Sequence, residues 1–405
     1  MSWKKVKFGS LYKIDSRNGL TKPSKVRGEG YKMINMGELF SYDRIYDIPM
    51  ELVPLTDSEK INAKVEVGDL LFARQSLVLE GAGKCSIIME TSDLTVFESH
   101  IIRVRLKSEE NPLFYYYYFK SPLSPVSTIV SQCAQAGIRG SDLSNLEVIC
   151  PSRDIQDKIV DILSAYDNLI ENNQKQIKLL EEAAQRLYKE WFIDLRFPGY
   201  ENVEIVDGGV PEGWQYKKVS SFGSVITGKT PSTAKSQYYG GEVPFIKIPD
   251  MHKGIFPLVT EVTLSLEGAK SQKNKFIPKN SIMVSCIATV GLVNISIEDC
   301  QTNQQINSIV LADERSLYYL YFAMKDLKSL LDGVGSNGGA TMTNVNKEKF
   351  SNLSILCPNT LLLEKYYEYS KPLFDKILNL SKNINCLTEA RDRLLPKLMS
   401  GEIEV

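Results

Sequence analysis

Apolar residues recur along two stretches of the chain with alternating steps of three and four positions. The first series lies within residues 155–192 and comprises Leu163, Tyr166, Ile170, Asn173, Ile177, Leu180, Ala184, Leu187 and Trp191. This 3.5-residue period is typical of a helix that packs along another helix, and no glycine or proline interrupts it. At ~1.5 Å per residue the helix would be roughly 55 Å long, more than the core of one domain requires.

A second series with the same period closes the sequence and comprises Leu373, Ile377, Leu380, Ile384, Leu387, Arg391, Leu394 and Leu398. The two series are in register, since Ile177 to Ile384 and Leu187 to Leu394 are equal steps along the chain. Two such helices can cover each other's apolar faces as an antiparallel pair, which we call the spine. The polar Asn173 is either tolerated in its series or fixes the helix register.

The repeat extends beyond the helices, because the segments that precede them correspond in order. The matching segments are residues 3–11 and 214–225, 21–24 and 229–232, 31–36 and 244–249, 67–73 and 277–285, 97–104 and 302–309, 113–119 and 317–322, and 146–151 and 353–358. Short β-branched runs bounded by turns predict strands, and the two aromatic runs predict helices that pack on a core. The sequence therefore predicts an α+β fold with a pseudo-twofold internal repeat, in which two long antiparallel helices (a coiled-coil spine) separate two similar globular domains.

The predicted boundaries follow from these segments. A first domain covers residues 1–151, and a central helix covers residues 152–196. A linker rich in glycine and proline covers residues 197–213. The second domain covers residues 214–358, and a C-terminal helix covers residues 359–405.

Composition indicates an ordinary globular protein and argues against several chemistries. Of its 405 residues, 43% are hydrophobic and 24% charged, and the net charge is −1. The seven cysteines include no CxxC pair, as expected of unpaired thiols in a reducing cytoplasm. With only His100 and His252 present, neither a histidine-based metal centre nor a Ser-His-Asp hydrolase is expected. We expect no signal peptide and no membrane association, and we place the protein in the cytoplasm.

Local charge is segregated despite the near-neutral total. Residues 1–30 hold eight Lys or Arg against two acids, and residues 214–241 hold four lysines and no acid. Affinity for nucleic acid depends on local potential, so these stretches are compatible with a DNA surface. They are equally compatible with ordinary solvated faces, and charge alone does not decide between the two.

Two short motifs resemble catalytic signatures. Residues 223–230 fit the GxxxxGK[ST] pattern of phosphate-binding loops, which requires a buried strand before it and a helix after it. Residues 219–222 make a poor core strand and residues 231–241 a poor amphipathic helix, so a lysine-bearing loop on a DNA backbone is the better interpretation. Residues 111–114 resemble the Asn-Pro-Pro-Tyr element of amino-methyltransferases, but no glycine-rich cofactor loop precedes them, and we interpret them as a helix start.

The C-terminal sequence LTEARDRLLPKLMSGEI, residues 387–403, resembles the signature of Type I restriction-modification specificity (S) subunits. Residues 211–214 resemble the opening of the second domain in that family, and the resemblance covers essentially the whole chain. It implies two target-recognition domains that each bind one half of an asymmetric bipartite DNA site. It also implies that the spine sets the spacing between the half-sites.

The resemblance further implies that the chain itself catalyses nothing and holds no cofactor. The spine would bind two methyltransferase (M) subunits, which carry S-adenosylmethionine and methylate adenine. Restriction (R) subunits, with ATP and Mg, would join the complex. Two other functions are weighed against this one: a nucleotide hydrolase that uses Lys229, and a coiled-coil scaffold that binds protein but no DNA.

Candidate DNA contacts are loop residues of the types that position phosphates or recognise bases. In the first domain they are Lys22, Arg27, Arg74, Gln75, Lys84, Gln135 and Arg139. In the second domain they are Lys229, Thr230, Ser232, Lys253, Asn303, Gln304, Asn337, Thr341 and Asn344. For each of them, ordinary exposure to solvent is the alternative.

Overall fold

Both apolar series lie on long α-helices in the computed structural model, which describes residues 3–132, 136–206, 209–287, 289–326 and 345–405. The first helix spans Arg153–Tyr188 and continues into a π-helical turn, Lys189–Ile193. The second spans Thr360–Ser400. Every member of both series is buried or half-buried, so the faces that the 3.5-residue period selects are the faces that pack.

Contacts within the chain group its residues into two units. Unit 1 comprises Met1–Leu169 together with Cys386–Val405, and unit 2 comprises Ile170–Asn385. Each unit therefore contains one α+β body and one part of each long helix. The domain boundaries predicted from the sequence treat each helix as a segment of its own.

The body of unit 1 is built on a five-stranded sheet. Its strand order is Tyr12–Asn18, Ile101–Leu106, Leu70–Ala73, Cys85–Ile88 and Arg44–Ile45. Neighbouring strands are antiparallel except for the last pair, which is parallel. A three-stranded sheet, ordered Glu51–Val53, Tyr31–Ile34 and Thr95–Phe97, covers one face.

The central strand Leu70–Ala73 shows no alternation of exposed and buried residues, because both of its faces are covered. Leu71 lies in the apolar core shared with the three-stranded sheet. Phe72 lies in a second core, together with the aromatic helix Pro112–Lys120. Asn111 caps that helix, since its Oδ1 accepts a hydrogen bond from the backbone N–H of Leu113 at 3.0 Å. The predicted helix start is thus confirmed.

The second core of unit 1 also takes in both long helices. Ile159 and Leu163 come from the first helix, and Leu395 and Leu398 come from the second. The two helices therefore contact each other within unit 1, as the spine prediction requires.

Remaining short elements of unit 1 complete its edges. The strands Lys5–Lys7 and Glu147–Ile149 pair with each other, and Gln75–Ser76, Ala136–Gly137 and Ser131–Gln132 form a small ribbon. The short helices are Met36–Ser41, Asp57–Asn62 and Gly140–Asn145.

Unit 2 repeats this architecture. Its larger sheet is ordered Gly223–Thr227, Ile306–Leu311, Ile282–Ser285 and Val293–Ile295, and its smaller sheet Val262–Leu264, Tyr239–Ile246 and Gln301–Thr302. Gln215–Lys218 pairs with Ser354–Cys357, and Ile205–Val206 with Val210–Pro211. Among the described residues, the short helices of its body are Ile248–Met251, Leu266–Lys270, the aromatic helix Leu317–Lys325, and Lys347–Ser351.

The long helices run antiparallel within unit 2. The Trp191 ring lies 5.6 Å from the rings of both Tyr366 and Tyr369, near the start of the second helix. Ile177, earlier on the first helix, lines a cavity with Ile384, later on the second. The α+β fold with an internal repeat is confirmed. Within the described ranges, no helix has the length and apolar character that a membrane span requires.

Candidate nucleic-acid interface

In unit 1 a glycine holds the loop that precedes Lys22 against the end of a neighbouring strand. The backbone N–H of Gly19 donates to the carbonyl of Ile101 at 3.2 Å, and that of Leu20 donates to Phe97 at 2.8 Å. A Cβ atom at Gly19 would collide with the carbonyl oxygen of Phe97. Only glycine allows this close approach of two backbones, which we call the glycine anchor.

Unit 2 contains the same anchor. The N–H of Gly228 donates to Ile306 at 3.1 Å, and that of Lys229 donates to Thr302 at 2.9 Å. A Cβ atom at Gly228 would meet the carbonyl oxygen of Asn303. The internal repeat thus extends to individual backbone hydrogen bonds, and the two anchors present equivalent loops.

Four candidates of unit 2 come together at its anchor. Lys229 is exposed, and the Thr230 hydroxyl donates to Oε1 of the exposed Gln304 at 2.8 Å. Asn303 is only 8% exposed. Its side-chain amide donates a hydrogen bond to Oε1 of Gln305 and accepts one from the backbone N–H of Gln305. Asn303 therefore shapes the turn, while Lys229, Thr230 and Gln304 offer their polar groups to the surface.

Of the two other candidates described in unit 2, one belongs to this loop and one does not. Ser232 is exposed and follows the anchored residues. Lys253 instead lies 3.6 Å from the buried Asp250, measured from Nζ to Oδ1, and lines a cavity with Ile177 and Ile377 of the long helices.

In unit 1 the small ribbon gathers three candidates. Gln75 lies on the ribbon strand that pairs with Ala136–Gly137. The carbonyl of Arg74 accepts a hydrogen bond from the N–H of Ile138 at 2.9 Å. Arg139 follows directly and is exposed. Two basic side chains and one amide therefore share one edge of unit 1, a combination suited to phosphates and base edges.

Lys22 and Arg27 are already engaged by carboxylates of their own unit. Nζ of Lys22 lies 2.9 Å from Glu59, and a guanidinium nitrogen of Arg27 lies 2.6 Å from Glu51. The pKa of Glu59 is lowered by the backbone hydrogen bond from Thr56 and by the bond from Lys22. A DNA phosphate that approached Lys22 or Arg27 would have to compete with these carboxylates.

Lys84 is similarly occupied. Its Nζ donates to the carbonyl of Phe40 at 2.7 Å and lies 3.2 Å from Asp43. Burial acts to raise the pKa of Asp43, but the nearby Lys120 and Lys84 outweigh it and lower that pKa. Lys84 thus helps to hold a half-buried carboxylate in its charged form.

Four candidates, Gln135, Asn337, Thr341 and Asn344, lie outside the described residues.

The duplicated geometry has a counterpart in a known protein family. The sequence profile of the Type I restriction modification DNA specificity domain matches residues 1–182 and again residues 211–384. The chain belongs to this family. The two matches include the two glycine anchors, so the repeat seen in the hydrogen bonds is the repeat of the specificity domain.

Specificity subunits are also found among its relatives. The chain is 36% identical over 323 residues to the Type I restriction enzyme HindI specificity subunit of Haemophilus influenzae, covering 64% of this chain and 70% of that protein. It is 30% identical over 308 residues to the MjaIX specificity subunit of Methanocaldococcus jannaschii, covering 72% and 69%. The crystal structure of a Type I S subunit from M. genitalium has the same fold, with a TM-score of 0.63 at 15% identity, covering 98% of this chain and 96% of that one.

The phosphate-loop pattern of residues 223–230 forms no phosphate loop in this specificity-domain fold. Gly223–Thr227 is a strand that pairs antiparallel with Ile306–Leu311. After the Gly-Lys-Thr residues comes only a single 3-10 turn, Ser236–Tyr238, and then the strand Tyr239–Ile246. With no helix N-terminus behind it, the loop cannot surround a nucleotide phosphate with backbone N–H groups, and the hydrolase alternative is not supported.

One basic residue near the unit 2 anchor was missed from the sequence. Nζ of Lys235 lies 2.9 Å from the Tyr238 hydroxyl and 4.9 Å from the centre of that ring, and this hydrogen bond raises the pKa of Lys235. The available signal was the stretch 214–241, which contains four lysines and no acid. Lys235 therefore adds a second exposed cation, after Lys229, to the segment that follows the anchor.

Proposed function

We propose that the two units recognise the two halves of one asymmetric bipartite DNA site. One observation carries this: identical glycine anchors hold loops with different side chains. Unit 1 continues from its anchor with Leu20, Thr21 and Lys22, whereas unit 2 continues with Lys229 and Thr230. A shared backbone gives both units the same way of docking on a duplex, and different side chains give them different base preferences.

Within each unit, contacts divide into positioning and recognition. Lys229 and Arg139 are exposed cations at loop positions, suited to phosphate oxygens. Gln75 and Gln304 carry amides that can donate and accept at once, as bidentate recognition of a base edge requires. A guanidinium nitrogen of the half-buried Arg74 donates to the carbonyl of Ser99 at 3.4 Å, which orients the side chain before DNA arrives.

The long helices are the proposed docking site for two methyltransferase (M) subunits. Large apolar side chains on them face solvent, among them Leu169 at 51% exposure, Leu179 at 64%, Leu361 at 64% and Tyr369 at 62%. We expect a docked M subunit to cover these side chains. In this proposal the helices also set the spacing between the half-sites, and the chain itself performs no catalysis. S-adenosylmethionine is bound by the M subunits, and ATP and Mg by restriction (R) subunits.

The decisive experiment maps methylated adenines across the genome with and without the gene for this chain. The proposal predicts one motif with two different defined halves and an unspecified spacer, lost on deletion and restored by complementation. A methylation pattern that deletion leaves unchanged would refute it, as would a lost motif consisting of a single uninterrupted block.

Removal of both ribbon cations, as Arg74→Ala with Arg139→Ala, should weaken binding through one half-site only. We expect at least about a tenfold loss of affinity, because two phosphate or base contacts disappear. For the same reason, the slope of log affinity against log salt concentration should become shallower by about one to two. Footprinting of the full chain with its methyltransferase subunits measures this at each half-site.

The matched control is Lys13→Ala with Lys107→Ala, which removes two cations beside the opposite end of the large sheet of unit 1. This variant should bind like the wild type. Equal loss of protection at both half-sites in the Arg74/Arg139 variant would contradict the assignment.

A further inference from the structure

Unit 1 presents three consecutive apolar side chains to solvent. Leu77 is 90% exposed, Val78 59% and Leu79 47%. They follow directly on the ribbon strand Gln75–Ser76. We call these three residues the apolar tip. Exposure of three adjacent large apolar residues is unfavourable in water, so the tip calls for a partner.

The fold does not require the tip. In unit 1 residues 74–84 connect the strands Leu70–Ala73 and Cys85–Ile88. In unit 2 a shorter segment, residues 286–292, connects the equivalent strands Ile282–Ser285 and Val293–Ile295. The described part of that segment contains no exposed large apolar side chain. Since the same strand pair closes without a tip, the tip serves something particular to unit 1.

Hydrogen bonds fix the shape of the tip. The N–H of Val78 donates to the Ser76 hydroxyl at 3.1 Å, and the N–H of Gly81 donates back to the carbonyl of Val78 at 3.2 Å. Closing the turn, the N–H of Ala82 donates to Leu79 at 3.2 Å. The side chains therefore project from a shaped turn, and little ordering entropy is lost when they meet a partner.

We propose that the apolar tip packs against DNA bases in the half-site recognised by unit 1, with Leu77 as the principal contact. This rests on the proposed function. The tip continues the ribbon strand that carries Gln75, and Arg74 and Arg139 lie beside that strand. A β-ribbon fits the major groove, where apolar side chains contact thymine methyl groups; apolar side chains also insert between base pairs. The connection formed by residues 74–84 carries Arg74 and Lys84 against one acid, Glu80, and together with Arg139 this positive balance favours DNA over an apolar protein surface as the occupant.

The test compares Leu77→Ser with the wild type, each as the full chain with its methyltransferase subunits. The duplex probes carry the mapped bipartite site intact, or with either half scrambled. We expect Leu77→Ser to bind the intact duplex about tenfold more weakly. On the duplex with the unit 1 half scrambled, both proteins should bind equally, because the contact is already lost. Leu77→Met, which keeps the apolar bulk, should bind nearly as well as the wild type.

Val67→Ser is the matched control. Val67 is 66% exposed and precedes the strand Leu70–Ala73, whereas Leu77 follows it, so the two residues lie beyond opposite ends of one strand. Val67→Ser should bind like the wild type, and neither serine variant should lower the melting temperature.

Two further measurements define the contact, and either positive result supports it. A loss of affinity on replacing thymines of that half-site by uracils indicates contact with a methyl group. A rise in 2-aminopurine fluorescence that requires Leu77 indicates insertion between bases.

Three results for the Leu77→Ser variant would overturn the proposal. It could bind the intact duplex with wild-type affinity, or lose affinity equally for the intact duplex and for the duplex with the unit 1 half scrambled. It could also release a methyltransferase subunit from the complex. Failure of the proposed function looks different, because the wild type itself would then be indifferent to scrambling either half.

Discussion

Replacement of Arg391 by methionine should lower the free energy of unfolding of unit 1 by about 3 kcal/mol. The Arg391 guanidinium lies 2.6 Å from Oδ1 of Asp167, and the two side chains are only 18% and 7% exposed. Without the arginine, the buried carboxylate loses its ion pair and keeps the hydrogen bond from the hydroxyl of Tyr117, which donates at 2.7 Å. Thermal unfolding followed by circular dichroism should show a transition lower by roughly 6–10 °C.

Two variants make this prediction specific. Arg393→Met removes a cation from the same helix whose ion pair with Glu389 is solvent-exposed, so stability should change by less than about 1 kcal/mol. The double variant Asp167→Leu with Arg391→Met removes both charges and should recover most of the loss. If the Arg391→Met variant had the same melting temperature as the Arg393→Met variant, the buried ion pair would not be stabilising unit 1.

The second large effect is expected at the anchor of unit 2. Gly228→Ala should reduce affinity for the unit 2 half-site by at least about tenfold and leave the other half-site unaffected. The added Cβ would collide with backbone oxygens of Thr302 and Asn303, so the loop carrying Lys229 and Thr230 has to move away. We expect the free energy of unfolding to fall by no more than about 1–3 kcal/mol, because the strand pairing itself survives.

Gly37→Ala provides the control for this substitution. Gly37 lies in the helix Met36–Ser41, and a Cβ there meets no atom within 4 Å. Its stability should stay the same or rise by up to about 1 kcal/mol, and its DNA binding should not change. Half-site footprints of both variants decide the matter: an intact unit 2 footprint in Gly228→Ala would show that the anchor does not position the loop.

The spine was predictable because its signal is periodic. A 3.5-residue repeat of apolar side chains survives in the sequence whatever the surroundings, and it identified the packed face of both helices. The same signal cannot reveal Asp167, a charged residue beside Tyr166 that is buried by its partner and not by its own character. Arg391 was the one clue, since it occupies a position in an otherwise apolar series.

The candidate DNA contacts were harder to predict, because a basic residue in a loop says nothing about its neighbours. Lys22 and Arg27 both looked available, yet Glu59 and Glu51, distant in sequence, lie against them. In unit 2 three separately chosen candidates, Lys229, Thr230 and Gln304, lie together in the structure, at a loop whose start the repeat had indicated. Whether these residues contact DNA stays a prediction.

Unit 1 depends on residues made long after its first strand. The Trp3 indole N–H donates to the carbonyl of Met399 at 3.1 Å, and Leu398 shares a core with Phe8. Residues 170–385, which contain all of unit 2, leave the ribosome before residues 386–405 do. Every residue of unit 2 is therefore synthesised before the last segment of unit 1, and unit 1 cannot complete its core until that segment arrives. The half that is translated first is the half that matures last, and meanwhile its incomplete core is exposed to chaperones and proteases.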